Sequence, residues 1–318
     1  MNKENVLITG GAGFIGRAIV AKCLEQGHKV TVVDNLSAGR MENISAFLPE
    51  ISFHQQDILN RSSLEAIFNQ TKPGIIFHMA ALHYIPYCNA HPDQTLRTNV
   101  EGTFNVLEKC VAHNARVAVI ASSGAFYPSL DTPLNEETEA LPVDVYGLSK
   151  LITEQTAKFH ASTSSLKCVA ARLFNTYGPY ETNPHLIPVI LESLSKGDDI
   201  LLGNIHTKRD YIFVEDVAEI LYRSAFIDHE SFMAINVGTG DEHSAQDIVE
   251  MIGELLDRAI HIDIDSARIR LVDKQHQMAD TRKLRLKTGL QAKHSLRKGL
   301  QKLLVHENFK LNKTNTGE

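Results

Sequence analysis

The sequence predicts an α/β fold, a doubly wound parallel sheet with a smaller C-terminal lobe, and three observations carry this prediction. Short β-branched runs alternate with longer amphipathic segments through the first half of the chain, which is typical of parallel strands joined by helical crossovers. These runs are apolar on both faces, so the sheet must be covered on both sides. At 318 residues the chain is also too long for one compact core, so we expect two lobes.

Six strands and five helices are predicted in order along the chain. The predicted strands are Val6–Ile8, Val30–Val33, Ile51–Phe53, Ile75–Phe77, Val117–Ile120 and Cys168–Ala171. The predicted helices lie near residues 15–25, 62–69, 93–113, 146–161 and 187–194. The alternation stops after Phe174, so we expect a first domain over residues 1–173 and a second lobe over 174–318. An apolar run at 235–238 is predicted to return to the first sheet, and the polar end at 308–318 to fray.

Composition and charge exclude several classes of protein. The chain has 32 basic and 38 acidic residues and a net charge of -6, without the basic excess typical of nucleic-acid binding. No apolar run approaches the roughly 18 residues of a membrane-spanning helix, and the N-terminus enters a structured motif directly. We therefore expect no nucleic-acid or membrane partner and a cytoplasmic location. The four cysteines are widely spaced, and His83, Cys88 and His91 lie in a stretch without a regular period, so we expect no metal.

A glycine-rich turn follows the first predicted strand. Residues 9–16 read TGGAGFIG, and Gly10, Gly13 and Gly16 allow a tight turn, close backbone approach to a pyrophosphate and close helix packing. The N-terminus of the next helix supplies free N–H donors. Asp34 ends the second predicted strand, 18 residues after Gly16, where its carboxylate can accept hydrogen bonds from ribose hydroxyls. A carboxylate there repels a 2′-phosphate, so the spacing predicts NAD rather than NADP.

A tyrosine and a lysine lie four residues apart after the fifth predicted strand. On a helix, this spacing places Tyr146 and Lys150 on one face. A secondary alcohol loses hydride readily only if its proton leaves at the same time, so a base is needed beside the nicotinamide. Tyr146 is the candidate base, and we expect the Lys150 ammonium and the positive nicotinamide ring to lower its pKa.

Together these motifs resemble the extended short-chain dehydrogenase/reductase family, in particular its nucleotide-sugar epimerases and dehydratases. Two later segments, RLFNTYGP at 172–179 and KRDYI at 208–212, are similar to signatures of that subgroup. The resemblance implies that residues 1–173 form an NAD-binding domain and that residues 174–318 bind a nucleotide-diphosphate sugar. It also implies a homodimer, formed through the helices near 93–113 and 146–161.

The resemblance implies a role for residues along most of the chain. Ser123, aligned by residues 122–127, would share or relay the proton in catalysis with Tyr146 and Lys150. The implied NAD contacts are Tyr146 and Lys150 together with Gly10, Gly13, Phe14, Ile15, Gly16, Asp34, Asn35, Asp57, Ile58, Ala80, Ala81 and Asn99. The implied substrate contacts are His83, Ser123, Tyr146, Asn175, Arg209 and Arg270, of which the last three would hold the diphosphate.

Two small residues separate the reactions of this subgroup. Dehydratases resemble one another in carrying an acid pair where this chain has Gly124 and Ala125, and decarboxylating relatives carry Glu at the second position. Their absence favours an NAD-dependent 4-epimerase, which oxidises C4, rotates the 4-keto sugar and returns the hydride to its other face. A dehydratase or ketoreductase using Tyr146, or a non-catalytic dinucleotide-sensing protein, stays open. Pro128 and the bulky 82–88 segment leave the sugar open, and His83 is a candidate second acid/base group.

Overall fold

A computed structural model describes residues 3–268 and 274–312 of the chain. Its strands, numbered in chain order, are β1 (Asn5–Thr9), β2 (Lys29–Asp34), β3 (Ile51–Gln55), β4 (Ile75–His78), β5 (Val117–Ser123), β6 (Lys167–Leu173), β7 (Asn175–Tyr177), β8 (Asp199–Leu202), β9 (Lys208–Phe213), β10 (Phe232–Val237), β11 (Glu242–Ser244) and β12 (His261–Ile264). Seven of them form one parallel sheet in the order β10-β6-β5-β4-β1-β2-β3.

Helices cover both faces of this sheet. They are α1 (Phe14–Glu25), α2 (Met41–Ile44), α3 (Arg61–Thr71), α4 (Ile85–Ala90), α5 (Pro92–Leu96), α6 (Gly102–Ala112), α7 (Val145–Thr163), α8 (Leu186–Leu194), α9 (Val214–Ser224), α10 (Ala245–Leu256), α11 (Arg282–Thr288) and α12 (Leu296–His306). In β1 the side chains alternate, so that Ile8 packs in one core with α1 and α9 while Leu7 packs in the other with α3 and α6. The predicted doubly wound α/β fold is thus confirmed.

The single helix predicted near 93–113 is interrupted. Helix α5 is followed by a π-helical turn at Arg97–Glu101, and α6 begins only at Gly102. Such a turn inserts one extra residue into a helix and is frequent at functional sites. Here the carbonyl of Asn99 accepts hydrogen bonds from the hydroxyls of Thr103 and Thr153, so side chains satisfy the widened turn. Hydrophobic periodicity cannot reveal it, because one inserted residue hardly changes the apolar face.

The chain after Phe174 forms a second lobe and also adds one strand to the large sheet. Strand β10 pairs with β6, so the apolar run predicted near 235–238 lies at the edge of the large sheet. Strands β7, β9 and β11 form a small sheet, β8 and β12 form another, and α8, α10 and α12 contribute to a separate apolar core. No helix among the described residues is both long and apolar enough to span a membrane.

The expected fraying of the C-terminal stretch is wrong for its described part. The backbone N–H of Asn312 donates to the carbonyl of Leu255, 2.9 Å away, and that of Phe309 donates to Leu304. Phe309 and Leu311 also pack against the core formed by α8, α10 and α12. Two apolar side chains among polar neighbours are therefore enough to hold residues 308–312 on the surface of the second core.

Candidate active site

A cavity of about 1560 Å³ runs along the carboxyl ends of β1, β2, β4 and β5 and under the loops that follow β7. Most residues singled out from the sequence line it. They are Gly10, Gly13, Phe14, Ile15, Gly16, Asp34, Asn35, Asp57, Ile58, Ala80, Ala81, His83, Ser123, Tyr146, Lys150, Asn175 and Arg209. Asn99 lies behind this lining, and Arg270 lies outside the described residues. The cavity is at the edge of the sheet where doubly wound folds bind their ligands.

The turn between β1 and α1 has the geometry of a phosphate cradle. Gly10 has a φ of +69°, and a Cβ there would lie 2.6 Å from the backbone nitrogen of Ala80. A Cβ on Gly16 would collide with the carbonyl of Gly10. Helix α1 begins after Gly13 without a side-chain cap, so its first N–H groups face the cavity without a side-chain acceptor. These groups fit the pyrophosphate of a dinucleotide.

Asp34 lies at the end of β2, beside this cradle. One carboxylate oxygen accepts from the backbone N–H of Ala12 at 2.9 Å and the other from Leu36 at 2.8 Å. Burial raises the pKa of Asp34, and these two backbone hydrogen bonds oppose that effect. Asn35 donates to the carboxylate of Asp57 at 2.8 Å, which joins the ends of β2 and β3. Each carboxylate keeps lone pairs for ribose or adenine groups, so the residues fit the adenosine half of NAD.

Tyr146 and Lys150 lie on one face of α7, with the lysine nitrogen 5.8 Å from the centre of the tyrosine ring. Burial raises the pKa of Tyr146 to about 12, and a hydrogen bond with Ser123 opposes this. The predicted lowering of this pKa includes the charge of a bound nicotinamide ring and stays a prediction, and burial opposes it. Burial also lowers the pKa of Lys150 to about 8, and its ammonium donates to the carbonyl of Ala121 at 2.7 Å. The lysine charge is directed at a backbone carbonyl rather than at the phenol.

Asn99 supports the site from behind. It is buried, and its amide donates to the carbonyl of Leu82 while accepting from the backbone N–H of the same residue, both at 2.8 Å. The amide also donates to the hydroxyl of Ser149 on α7. Asn99 therefore fixes the loop after β4 to the helix that carries Tyr146, and it acts by positioning rather than by direct contact with the cavity.

Gly124 and Ala125 are faced by an amide and an ammonium group. The side chain of Gln277 donates to the carbonyl of Gly124 at 2.6 Å, and Lys274 donates to that of Ala125 at 2.5 Å. Both donors come from beyond residue 270, and sequence analysis did not identify them. An ammonium thus lies at the place where the resemblance puts the acid pair of the dehydratases.

Arg209 and Asn175 lie on the opposite wall, on β9 and β7. The guanidinium of Arg209 donates to the carbonyls of Lys208 and Lys274 at 2.8 and 2.7 Å, so it is anchored before any ligand arrives. Asn175 is exposed to the cavity. Their placement across from the β1–α1 cradle separates the predicted diphosphate contacts from the predicted NAD contacts.

His83 meets partners that sequence analysis missed. Its ring lies with Glu181 and His185, from the loop between β7 and α8, and not with Cys88 and His91. Burial, followed by the nearby positive charges of His185 and Lys150, lowers the pKa of His83 to about 4. A neutral ring whose Nε2 lies 3.0 Å from the amide of Asn183 is a poor proton donor toward a sugar. The 181–185 segment has no regular period, so no sequence signal marked it.

Comparison with known proteins relates this site to a family. The sequence model of the NAD dependent epimerase/dehydratase family matches residues 6–238. The dTDP-glucose 4,6-dehydratase of Neisseria gonorrhoeae is 30% identical over 274 residues, covering 80% of this chain and 78% of that protein. The UDP-glucose 4-epimerase of Thermotoga maritima with UDP-glucose is 28% identical, with a TM-score of 0.87 and coverage of 96% and 98%. The NAD complex of the Thermus thermophilus UDP-glucose 4-epimerase is also 28% identical, with a TM-score of 0.87 over 95% and 98%.

Proposed function

This chain belongs to the NAD dependent epimerase/dehydratase family, has NAD as its cofactor and modifies nucleotide sugars, and we propose that it is a nucleotide-sugar 4-epimerase. Bound NAD supplies the acceptor and later the donor of a hydride. The observation that carries the proposal is that Tyr146 and Ser123 are hydrogen-bonded in the cavity while Gly124 and Ala125 offer no carboxylate, and we take Tyr146 and Ser123 as the proton-handling pair. One acid/base pair suffices to invert C4, whereas elimination of water needs a second.

The proposed reaction uses few groups of the chain. Tyr146, as phenolate, takes the proton of the C4 hydroxyl directly or through Ser123 as the C4–H hydride leaves. The 4-keto sugar then rotates while its diphosphate stays on Asn175 and Arg209. The hydride returns to the opposite face of C4, and Tyr146 gives the proton back to the oxygen. A cavity of about 1560 Å³ leaves room for such a rotation.

The activation of Tyr146 follows from its surroundings. Because burial raises its pKa to about 12, the protein alone keeps the phenol protonated near pH 7. Ser123 is the partner that favours the phenolate, since a hydroxyl can donate to it. The base therefore needs additional positive charge near the phenol before it works.

Isotope labelling tests the reaction. With UDP-glucose deuterated at C4 as the first probe, the label is expected to remain at C4 of the product, because the same hydride returns. In D₂O no solvent deuterium is expected at C5. Product NMR and mass spectrometry measure both, and a panel of other nucleotide sugars identifies the preferred one. Loss of the C4 label to solvent or to free NADH contradicts the proposal.

A variant pair assigns the base. Tyr146→Phe is expected to lower turnover by about 10² or more while NAD still binds, because only the proton-accepting oxygen is removed. Tyr87→Phe is the matched control, since Tyr87 lies on α4 outside the cavity lining. Equal turnover in the two variants contradicts the role of Tyr146.

A dehydratase is the second candidate, and one observation favours it. Glu181 lines the cavity and adds a carboxylate that the positions 124 and 125 lack. If Glu181 removes the C5 proton, then deuterium from D₂O enters C5 and the product is lighter by one water. The labelling experiment above thus separates the two reactions in one measurement.

The proposal includes a homodimer. Helices α6 and α7 carry large apolar side chains at the surface, with Phe104 39%, Leu148 40% and Phe159 56% exposed. A second copy of this face is a partner of matching character. Sedimentation of the wild type and of Phe104→Asp tests it, because a charge at the interface is expected to give monomers. A monomeric wild type overturns this part of the proposal.

A further inference from the structure

A group of metal-ligating side chains lies inside the cavity, apart from the proton-handling pair. His83 belongs to the loop after β4, and Glu181 and His185 belong to the loop between β7 and α8. One ligand atom from each lies within 4.8 Å of the other two. Among the described residues, 3–268 and 274–312, no other group of three His, Cys, Asp or Glu side chains lies this close together. All three residues line the cavity, so an ion between them would be reachable by substrate.

The carboxylate of this group has one buried oxygen without a hydrogen-bond donor. The Glu181 side chain is only 5% exposed, and its buried Oε1 accepts no hydrogen bond. The nearest cationic candidate is Nδ1 of His185 at 3.3 Å, on a ring that is 40% exposed. A buried carboxylate oxygen without a donor is strongly destabilising, and folded proteins almost always satisfy such atoms. A carboxylate oxygen of Glu181 lies within 4.8 Å of a ring nitrogen of each histidine, so the three groups surround one point.

The two histidines are suited to metal ligation. Their ring centres are 5.7 Å apart, a separation that an ion between them can bridge. One ring nitrogen of each histidine lies within 4.8 Å of a carboxylate oxygen of Glu181. The Nε2 of His83 faces the amide of Asn183 at 3.0 Å. The nitrogen and oxygen of an amide can be exchanged in assignment, and the exchange would place the Asn183 oxygen beside His83 Nε2 as a further metal ligand.

We propose that His83, Glu181 and His185 form a binding site for one first-row divalent transition-metal ion of the Zn²⁺ type. Two imidazoles and one carboxylate suit such ions, whereas Mg²⁺ and Ca²⁺ prefer oxygen ligands alone. Three protein ligands leave coordination positions open, as in metal sites that hold a substrate oxygen. The ion joins the loop after β4 to the loop before α8. It thereby fixes the cavity wall and offers a Lewis acid to a substrate hydroxyl or carboxylate. This site is independent of the 4-epimerase proposal.

Cobalt is the probe, because Co²⁺ replaces Zn²⁺ and its visible absorption reports its coordination. Untagged protein is freed of metal with a chelator and titrated with Co²⁺ alone, followed by absorption and calorimetry. One Co²⁺ per chain is expected, displaced by Zn²⁺. Glu181→Gln and His185→Asn are each expected to weaken binding at least about tenfold, since each removes one of three ligands. Circular dichroism and melting of the metal-free variants check that they fold.

The matched control is a surface histidine with a carboxylate neighbour. His261 Nε2 lies 3.3 Å from Asp263, and both side chains are more than half exposed. His261→Asn is expected to leave Co²⁺ binding unchanged. Absence of stoichiometric binding, or equal affinity in wild type, Glu181→Gln and His185→Asn, overturns the site. Retention of the C4 label is scored separately on metal-free enzyme, so failure of one proposal does not decide the other.

Discussion

Two glutamates have buried side chains, and their surroundings differ. Glu154 on α7 has a side chain 3% exposed, and it accepts hydrogen bonds from the hydroxyl of Ser122 and from the guanidinium of Arg172, 2.8 Å away at the closest. Glu181 is similarly buried at 5%, yet its Oε1 has no hydrogen-bond donor. A satisfied carboxylate is part of a scaffold, whereas an unsatisfied one indicates a site that a ligand completes.

The side chain of Glu154 belongs to a larger hydrogen-bonded network, which we call the satisfied region. Arg172 also donates to the hydroxyl of Tyr127 at 2.6 Å, and that hydroxyl donates to Asn236 at 2.8 Å. These side chains come from β6, β10 and the segment after β5, so the network joins neighbouring strands to α7. Burial raises the pKa of Tyr127, so this phenol remains a hydrogen-bonding group. The satisfied region thereby fixes α7, which carries Tyr146, against the large sheet.

Removing the guanidinium of Arg172 from the satisfied region should have the largest effect on the free energy of unfolding. Arg172→Ala leaves Glu154 buried without its counter-charge, and we expect a loss of about 3–5 kcal/mol in the free energy of unfolding. Urea denaturation measures it. Lys196→Ala is the control, because its pair with Glu192 has side chains 70% and 68% exposed, and less than about 1 kcal/mol is expected. Similar losses in both variants would contradict the contrast.

A third buried titratable group extends the comparison to pH. His78 is 3% exposed and lies between the hydroxyls of Thr9 and Thr103. Burial, then the charge of Lys150, lowers its pKa to about 3. The unfolded chain, with a pKa near 6.5, binds the proton first, so stability contributed by His78 is present above that pH and falls as the pH decreases toward 3.

The expected size of this effect is intermediate. Between pH 7 and pH 5, protonation of His78 in the unfolded state should remove about 2 kcal/mol of stability. His78→Gln keeps a polar side chain without a titrating ring, so its free energy of unfolding should fall less over the same interval. Denaturation curves at pH 7, 6 and 5 for both proteins measure the difference. Parallel pH profiles would show that the ring is not held neutral.

The smallest effect is expected for Glu181→Gln, and the same substitution at Glu154 gives the contrast. Glu181→Gln, in the presence of a chelator, should leave the free energy of unfolding unchanged or raise it by up to about 1 kcal/mol, because a buried charged oxygen without a hydrogen-bond donor is replaced by a neutral amide. Glu154→Gln should lower it, because Arg172 loses its counter-charge. Thermal and urea unfolding of both variants measure this. A marked loss for Glu181→Gln would mean that the carboxylate is already satisfied in the protein.

Local motifs could be predicted from the sequence because each lies within one structural unit. The β1–α1 turn depends on glycines a few residues apart, and Asp34 follows directly from the end of its strand. Tyr146 and Lys150 share a face because a helix brings positions four apart together. The same reasoning predicted the sheet, whose strands are short apolar runs. The doubly wound fold, the tight turn between β1 and α1 and the proximity of Tyr146 to Lys150 were therefore within reach of the sequence.

Properties that arise from distant segments were decided by the tertiary structure alone. The pKa of Tyr146 depends on the burial of its ring, which raises it and which the spacing of Tyr146 and Lys150 does not reveal. Asn99 supports Leu82 instead of lining the cavity, because the π-helical turn and the loop after β4 are brought together only by folding. His83 and Glu181 are about 100 residues apart, and no local spacing marks their approach. Periodicity reports which face a residue occupies, whereas burial and neighbours across the fold determine what its side chain does.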